Sequence, residues 1–280
     1  MLRIVTDGAA DLPVEWQKEY GIDICPVNIQ FGEKTFLQDI ELDKEGFYKL
    51  VDETKKIPKT SQPTPHQFLE FYKKVAQPGD TILSIHVTSK LSGTYASAVA
   101  AGRDMEGSVN VIPFDSATGS MAIGYMCRTA RLLDRAGKST EDIIKHLEIM
   151  RQTNYICLAL DTLAYARMSG RVGTMQAALA SVLNVKPIAV LKDGLLNMTE
   201  KVRTRKGSLE RLLVMAKDVI GDKPAMMAIL HARDPKTGQD LLEQARLKFN
   251  VKEIHLIELS ISLAANFGPG TIGIVVLPAE

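Results

Sequence analysis

The sequence predicts an α/β protein of two domains. The N-terminal one, residues 1–153, is expected to carry a mainly parallel sheet with flanking helices, and the C-terminal one, residues 154–280, a mixed or antiparallel sheet. Short β-branched runs alternate with helical patterns through the first half, as crossover-connected parallel strands require. A long hairpin pattern interrupts that alternation in the second half. A length of 280 residues suits two domains of ordinary size.

Taken in order, "LRIVTD", "TILSIHV" and "VNVIPFD" read as buried strands, each ending in polar residues that open a helix. Between the first two, "IDICPVNIQFGEKTF" reads as an extended stretch turning at Phe31–Lys34, a hairpin at a sheet edge. Residues 116–152 carry a helical pattern broken at "RAGKST". Beyond it, "YICLAL" reads as a strand, "MQAALASVL" as a helix and "VKPIAVLKDGLLNMTEKVRTR" as a hairpin turning at Asp193–Gly194. A helix from Ser208, the strand "AMMAILH", a helix from Asp234 and the strands "EIHLIEL" and "TIGIVVL" complete the series.

Composition narrows the function classes. Hydrophobic residues at 45%, charged residues at 24% and a mean hydropathy of -0.01 describe a globular protein with a substantial core. A formal net charge of +1 gives no global field to recruit nucleic acid or an acidic membrane. The opening "MLRIVTDGAADLP" leaves no room for a signal peptide, and no apolar run approaches bilayer-spanning length. Cys25, Cys127 and Cys157 are odd in number and far apart, which suits a reducing compartment; a cytoplasmic location is expected.

Several chemistries lack their motifs. "AGKST" resembles the end of a phosphate-binding loop, but that motif needs glycine where Leu132 stands. Gly137 as a helix end and Ser139 with Asp142 as the next cap account for the segment better. There is no GxGxxG after the first strand, no CxxC, no HExxH and no GxSxG. Asp7 and Asp115 both follow strands and can converge on a metal, as an enzyme acting on a phosphorylated or carboxylated small molecule would need. The same two residues as readily cap the segments that follow them.

Hydroxyl groups are the stronger signal. "HVTSKLSGTYASA", residues 86–98, holds six of them directly after a strand. Gly93 lets a ligand approach the backbone, and a helix opening there offers free N–H groups to an anion. In "KTSQPTPHQF", Pro63 and Pro65 stiffen the loop that carries Thr60 and Ser61. From the residues alone, capping and anion binding both remain open.

The segments "TDGAADLP", "TSQPTP", "LSGTYASA", "FDSATGS", "ARMSGRVG", "VKPI", "KVRTRKGS" and "NFGPGTIG" follow the order and spacing of the DegV family, which the sequence resembles along essentially its whole length. The resemblance implies a two-domain α/β protein that binds a long-chain fatty acid in a tunnel between or within its domains. It implies a FakB-type carrier, which presents the carboxylate to a separate ATP-dependent fatty acid kinase and then holds the acyl phosphate for phospholipid synthesis. Such a subunit is not itself an enzyme and needs no metal or cofactor. Its partners are the fatty acid and the kinase catalytic subunit, with peripheral membrane contact during ligand exchange and no nucleic acid.

By the same resemblance Thr60 and Ser92 hold the carboxylate, with Ser61, Gly93 and Thr94 as secondary contacts. The family's HxGPG histidine would join them, but here that position is Asn266, in "NFGPG". An amide donates a hydrogen bond but carries no charge and does not titrate near neutrality. In "EKVRTRKGS" a strand places Lys201, Arg203 and Arg205 on one face. With Arg171 of "SGRVG" they can meet a phosphate or the kinase, or they form a solvated, charge-protected edge. Methionines in "SMAIGYM", "ARMSGRVGTM" and "AMMAIL" can line a tunnel, or serve as ordinary core.

Overall fold

The first half of the chain runs β1 (Leu2–Asp7), α1 (Val14–Tyr20), β2 (Ile22–Cys25), β3 (Asn28–Phe31), β4 (Lys34–Leu37), α2 (Lys44–Thr54), β5 (Lys59–Ser61), α3 (Pro65–Val75), β6 (Thr81–His86), α4 (Thr94–Arg103), β7 (Asn110–Asp115), α5 (Met121–Arg135) and α6 (Thr140–Thr153). The structure is a computed structural model that describes residues 1–171 and 185–279. Strands β1, β2, β6 and β7 pair in parallel in the order β2-β1-β6-β7. The chain steps from β1 outward to β2 and then returns past β1 to β6. Strand order therefore reverses between β1 and β6, and such a switch point leaves a crevice at the carboxyl ends of the strands, where open α/β sheets place ligands.

Burial follows from this layout. Ile4, Val5, Ile82, Leu83 and Ile85 are wholly buried, the near-continuous apolar run of a parallel sheet covered by helices. Val5 and Ile82 pack with Phe68 and Tyr72 of α3 and with Ala98 and Ala101 of α4. Helix α5 packs on β1 and β6, and α1 on β2. Helix α3 starts sharply because Pro65 occupies its first turn and Thr64 and Gln67 form a reciprocal capping box.

Two expectations are corrected here. The stretch from Ile22 to Phe36 is not one edge hairpin. Ile22–Cys25 joins the main sheet parallel to β1, and Pro26, with no N–H to continue a ladder, separates it from the β3–β4 hairpin. That hairpin pairs with β5 in a small antiparallel sheet of order β4-β3-β5. Likewise the helix after β7 begins at Met121, because Ala117 and Ser120 take positive φ (49° and 54°) and break any helical path through 116–120.

From Tyr155 the elements are β8 (Tyr155–Ala159), α7 (Ala164–Ser169), β9 (Lys186–Lys192), β10 (Leu195–Val202), α8 (Arg205–Ile220), β11 (Ala225–His231), α9 (Pro235–Lys248), β12 (Val251–Glu258), α10 (Ile261–Phe267) and β13 (Ile272–Pro278). They build a mixed sheet of order β10-β9-β8-β13-β11-β12, antiparallel except for the β11–β12 pair. The α/β class, with one parallel and one mixed sheet, is as the sequence predicts. Leu212, Leu213 and Ala216 of α8 and Leu241, Leu242 and Ala245 of α9 share one core with Ile188, Ile229 and Ile274. The expected helix "MQAALASVL" lies outside the described residues.

Residues Met1–Gln152 with Ser260–Ser262 form one compact unit, and Thr153–Leu259 with Leu263–Glu280 form another. Among the described residues no helix is long and apolar enough to cross a membrane.

The β1–β6 pair is clamped at its amino end by Asp80, whose carboxylate accepts from Gln77 N at 3.1 Å and from Arg3 Nε of β1 at 3.0 Å. These donors, the Gln77 amide foremost, hold the Asp80 carboxyl below its ordinary value of 3.8. A depressed carboxyl contributes stability that is complete above the unfolded-state value and lost as pH falls toward the folded one. Asp80→Asn should therefore lower stability at pH 7 and flatten the acid limb of the stability profile below about pH 4. Urea unfolding of both proteins between pH 3 and pH 7 measures this; parallel profiles would show that Asp80 is not linked to folding.

Candidate functional site

Loops leave the carboxyl ends of β1, β6 and β7 and are laced together. Ser120 N donates to Ala9 O at 2.8 Å, Thr88 N to Thr118 O at 2.9 Å and Ser116 N to His86 O at 3.1 Å. Asp11, at φ 42°, accepts from the Ser120 hydroxyl and, at 2.7 Å, from Ser260 N. Burial pushes the Asp11 carboxyl above its ordinary value, against the pull of its hydrogen bonds to Ser120 and Ser260. Asp11, Ala117 and Ser120 hold backbone conformations uncommon for residues other than glycine, at a cost of about 1–3 kcal/mol each. Strain of this kind, locked by surrounding hydrogen bonds, gathers at functional sites.

The hydroxyl clusters meet on this surface. Ser92 and Gly93 open α4, with Gly93 at the N-cap and no side chain capping it. The Ser92 hydroxyl lies 2.8 Å from Thr94 Oγ1 and accepts from Thr94 N at 3.3 Å. Either hydroxyl can donate in that pair; when Thr94 does, the Ser92 hydroxyl hydrogen is available to donate outward. Thr94 itself is buried beneath the turn. Thr60 and Ser61 lie on β5 rather than on a loop, opposite Ile29 and Asn28 of β3. Alternation turns Thr60, half-buried, to one face and Ser61, exposed, to the other. Gln62 follows β5 directly, and its amide lies where a Cβ on Gly93 would stand, 2.8 Å from Nε2. The TSQ segment and the SGT turn are thus in contact, and Gly93 is what allows it.

Asp7 and Asp115 do not converge. Asp7 is wholly buried; its Oδ1 accepts from Ala9 N at 2.9 Å and its Oδ2 from Val87 N at 3.0 Å, with His86 Nδ1 also at 3.0 Å. Asp115 accepts from the backbone N–H groups of Ser89 and Ala117 and from the Ser89 hydroxyl. Each carboxylate closes a turn two residues on and is engaged through both oxygens. Among the described residues no group of three or more His, Cys, Asp or Glu is placed to hold a metal ion.

In the second unit, Asn266 sits at the end of α10, half-buried, ahead of the Gly268-Pro269-Gly270 turn. That turn is braced: Thr271 Oγ1 donates to Gly268 O at 2.9 Å, and Arg205 Nη2 donates to Gly270 O at 2.6 Å and to Asp234 Oδ2 at 3.2 Å. The shared face expected for Lys201, Arg203 and Arg205 is corrected. Strand β10 ends at Val202, and Thr204 caps α8 through Gly207 N at 3.0 Å, so α8 begins at Arg205, not at Ser208. Arg203 lies exposed in the turn and Arg205 in the first turn of the helix. Arg171 Nη1 donates to Ser169 O at 2.7 Å.

Over residues 1–279 the chain matches the family described as "Uncharacterised protein, DegV family". Protein DegV of Bacillus subtilis is 32% identical over 275 residues, 98% of each chain. The chain belongs to the DegV family. A solved DegV family protein from Thermus thermophilus, described by its fatty acid binding, superposes with a TM-score of 0.91 at 28% identity over 99% of both chains. DegV of Bacillus subtilis, described as a fatty acid binding protein, gives 0.89 at 31% identity over 99% of both.

Within the DegV fold the sequence reasoning missed Gln62, Asp11 and His86. The signal for His86 was present: "TILSIH" and "LRIVTD" are neighbouring parallel strands that end in His86 and Asp7. Met121, Met126 and Met227 are wholly buried core, while Met168 is 59% exposed. A cavity of about 480 Å³ lies at the amino ends of β6 and β7, lined by Asp80, Thr81, Asn110 and Val111, and away from the hydroxyl cluster.

Gly93→Ala tests the contact between the two motifs. The atoms nearest the incoming Cβ belong to the mobile end of Gln62, so the loss should stay near the ~1 kcal/mol typical of an alanine at an N-cap. The Gln62 side-chain amide resonances should move in the NMR spectrum. Unmoved Gln62 resonances, or a loss of several kcal/mol on urea unfolding, would contradict this packing.

Proposed function

We propose that this protein binds one long-chain fatty acid non-covalently, with the carboxylate held by the hydroxyls of Thr60 and Ser92. It then presents that carboxylate to a separate kinase and carries the acyl phosphate toward phospholipid synthesis. The observation that carries the reading is the Ser92 turn. Its hydroxyl accepts from Thr94 N and lies 2.8 Å from Thr94 Oγ1; with Thr94 as the donor there, its own hydrogen is left for an anion, on the helix opening that Gln62 ties to the Thr60 segment. The fatty acid binding of the Thermus thermophilus and Bacillus subtilis relatives supports the choice of anion.

Magnitudes divide the work. Burying about fifteen methylenes at ~0.8 kcal/mol each gives an upper figure near ~12 kcal/mol before association costs. A hydrogen bond from a hydroxyl to a carboxylate adds about 1.5–3 kcal/mol. The chain supplies affinity and the hydroxyls fix register. Catalysis is assigned to the partner in this reading, with Asp7 and Asp115 serving structure by accepting from backbone N–H groups at the strand ends. Among the arginines, Arg203 is exposed, whereas Arg205 is engaged by Gly270 and Asp234; Arg203 is our choice for kinase docking.

Native mass spectrometry of the freshly purified protein should show one acyl ligand, released by organic solvent. A bare chain after incubation with a range of fatty acids would end the reading. Ser92→Ala should weaken fatty acid binding about tenfold, the loss of one charge-assisted hydrogen bond. Arg203→Glu should leave that affinity unchanged and impair phosphorylation by a kinase partner. Equal affinity losses in both variants would mean that pocket and docking surface have been assigned wrongly.

A further inference from the structure

Beneath the hydroxyl cluster runs a wholly buried chain of polar side chains that the reading above does not use. Tyr72 OH lies 2.8 Å from Ser84 Oγ, Ser84 Oγ 2.7 Å from His86 Nε2, and His86 Nδ1 3.0 Å from Asp7 Oδ2. All four side chains have no solvent exposure, and Phe68 stands edge-on to the imidazole at 5.1 Å. The direction of every bond follows from its end. The Asp7 carboxylate also receives Ala9 N and Val87 N, and a backbone N–H can only donate. As an ionised carboxylate Asp7 can only accept, and His86 Nδ1 then carries the proton between them. With Nε2 as acceptor, Ser84 donates to it and Tyr72 donates to Ser84, so every proton in the chain finds an acceptor. With a proton on Nε2 as well, Ser84 would have to donate back to Tyr72. The tyrosine hydroxyl hydrogen would then be stranded in the core, a cost of about 1–3 kcal/mol.

The elements that this chain joins are those that carry the proposed head-group contacts. Tyr72 belongs to α3, which begins at Pro65, five residues after Thr60. Ser84 and His86 belong to β6, whose exit loop leads to Ser92. Asp7 ends β1 and pins Val87 N, the first backbone group of that loop. We propose that Asp7 and His86, the latter as its neutral Nδ1–H tautomer, are positioning residues for the carboxylate site. They fix the β6 exit loop and α3 so that Ser92 and Thr60 present their hydroxyls together. This rests on the fatty acid reading above.

The test uses the full-length protein, a fatty acid and the fatty alcohol of equal chain length. The alcohol fills the same apolar space but presents no carboxylate. In the natural protein, long-range ¹H–¹⁵N NMR on ¹⁵N-histidine should show His86 with a protonated Nδ1 and a bare Nε2. In Asp7→Asn either orientation of the amide sets its NH2 against the backbone N–H of Ala9 or of Val87, so the β6 exit loop loses part of its anchor. Affinity for the acid should fall about tenfold, as for one charge-assisted hydrogen bond, while affinity for the alcohol holds. Ser84→Ala, a milder change that removes the donor to Nε2, should give a smaller loss in the same direction and keeps the test open if Asp7→Asn does not fold. A protonated Nε2 in the natural protein overturns the proposal. So do equal losses for acid and alcohol, since those indicate support of the fold and not of the head-group site. A natural protein that binds neither probe removes the fatty acid reading, and the proposal with it.

Discussion

Two neighbouring parallel strands, β1 and β6, meet at the point where the sheet reverses its order, and a carboxylate ties them at each end. At the amino end Asp80 receives Arg3 and the Gln77 amide. At the carboxyl end Asp7 receives Ala9, Val87 and His86. The reversal sends the connections after these strands to opposite sides, and without a clamp their loops would be free to part. Asp7 removes that freedom with backbone donors from the loops that follow both strands. The other contacts of the hydroxyl cluster are built on this join: Ser120 on Ala9, Thr118 on Thr88, Gln62 on Gly93.

Polar groups in this protein are committed in a graded way. Several buried ones are engaged in structure, as with Asp7, Asp11 and the Tyr72–Ser84–His86 chain. The three cysteines are buried, and burial pushes Cys127 and Cys157 up to about 12, so none is poised as a nucleophile. Half-buried Ser92 sits at the boundary, oriented by buried Thr94 from below. That gradient suits recognition of an anion by a prepared donor. In the second unit Arg205 and Lys186 are likewise drawn into structure, by Gly270 and Asp161.

Much of this was legible in the sequence, for physical reasons. Apolar runs ending in Asp7, His86 and Asp115 marked the parallel strands, because a doubly covered sheet demands them. Asp193–Gly194 marked the long hairpin. Thr60, Ser92 and Gly93 stood out by motif, and the structure brings the segments that carry them into contact. What escaped depends on tertiary pairing. Pro26 divides an extended stretch between two sheets, Ala117 and Ser120 break a helical pattern through positive φ, and Thr204 moves a helix start onto an expected strand face. Ser260 bonds Asp11 across 249 residues, a contact that no local pattern encodes.

The claim that a carboxylate rests on the Ser92 and Thr60 hydroxyls is tested most directly at the carboxyl carbon. A fatty acid labelled with ¹³C at C1, bound to the natural protein, should give one narrow carboxyl resonance distinct from that of the free acid. That resonance should shift in Ser92→Ala and again in Thr60→Val, each still binding the chain. A bound resonance unchanged in both variants would place the carboxylate elsewhere and contradict the account.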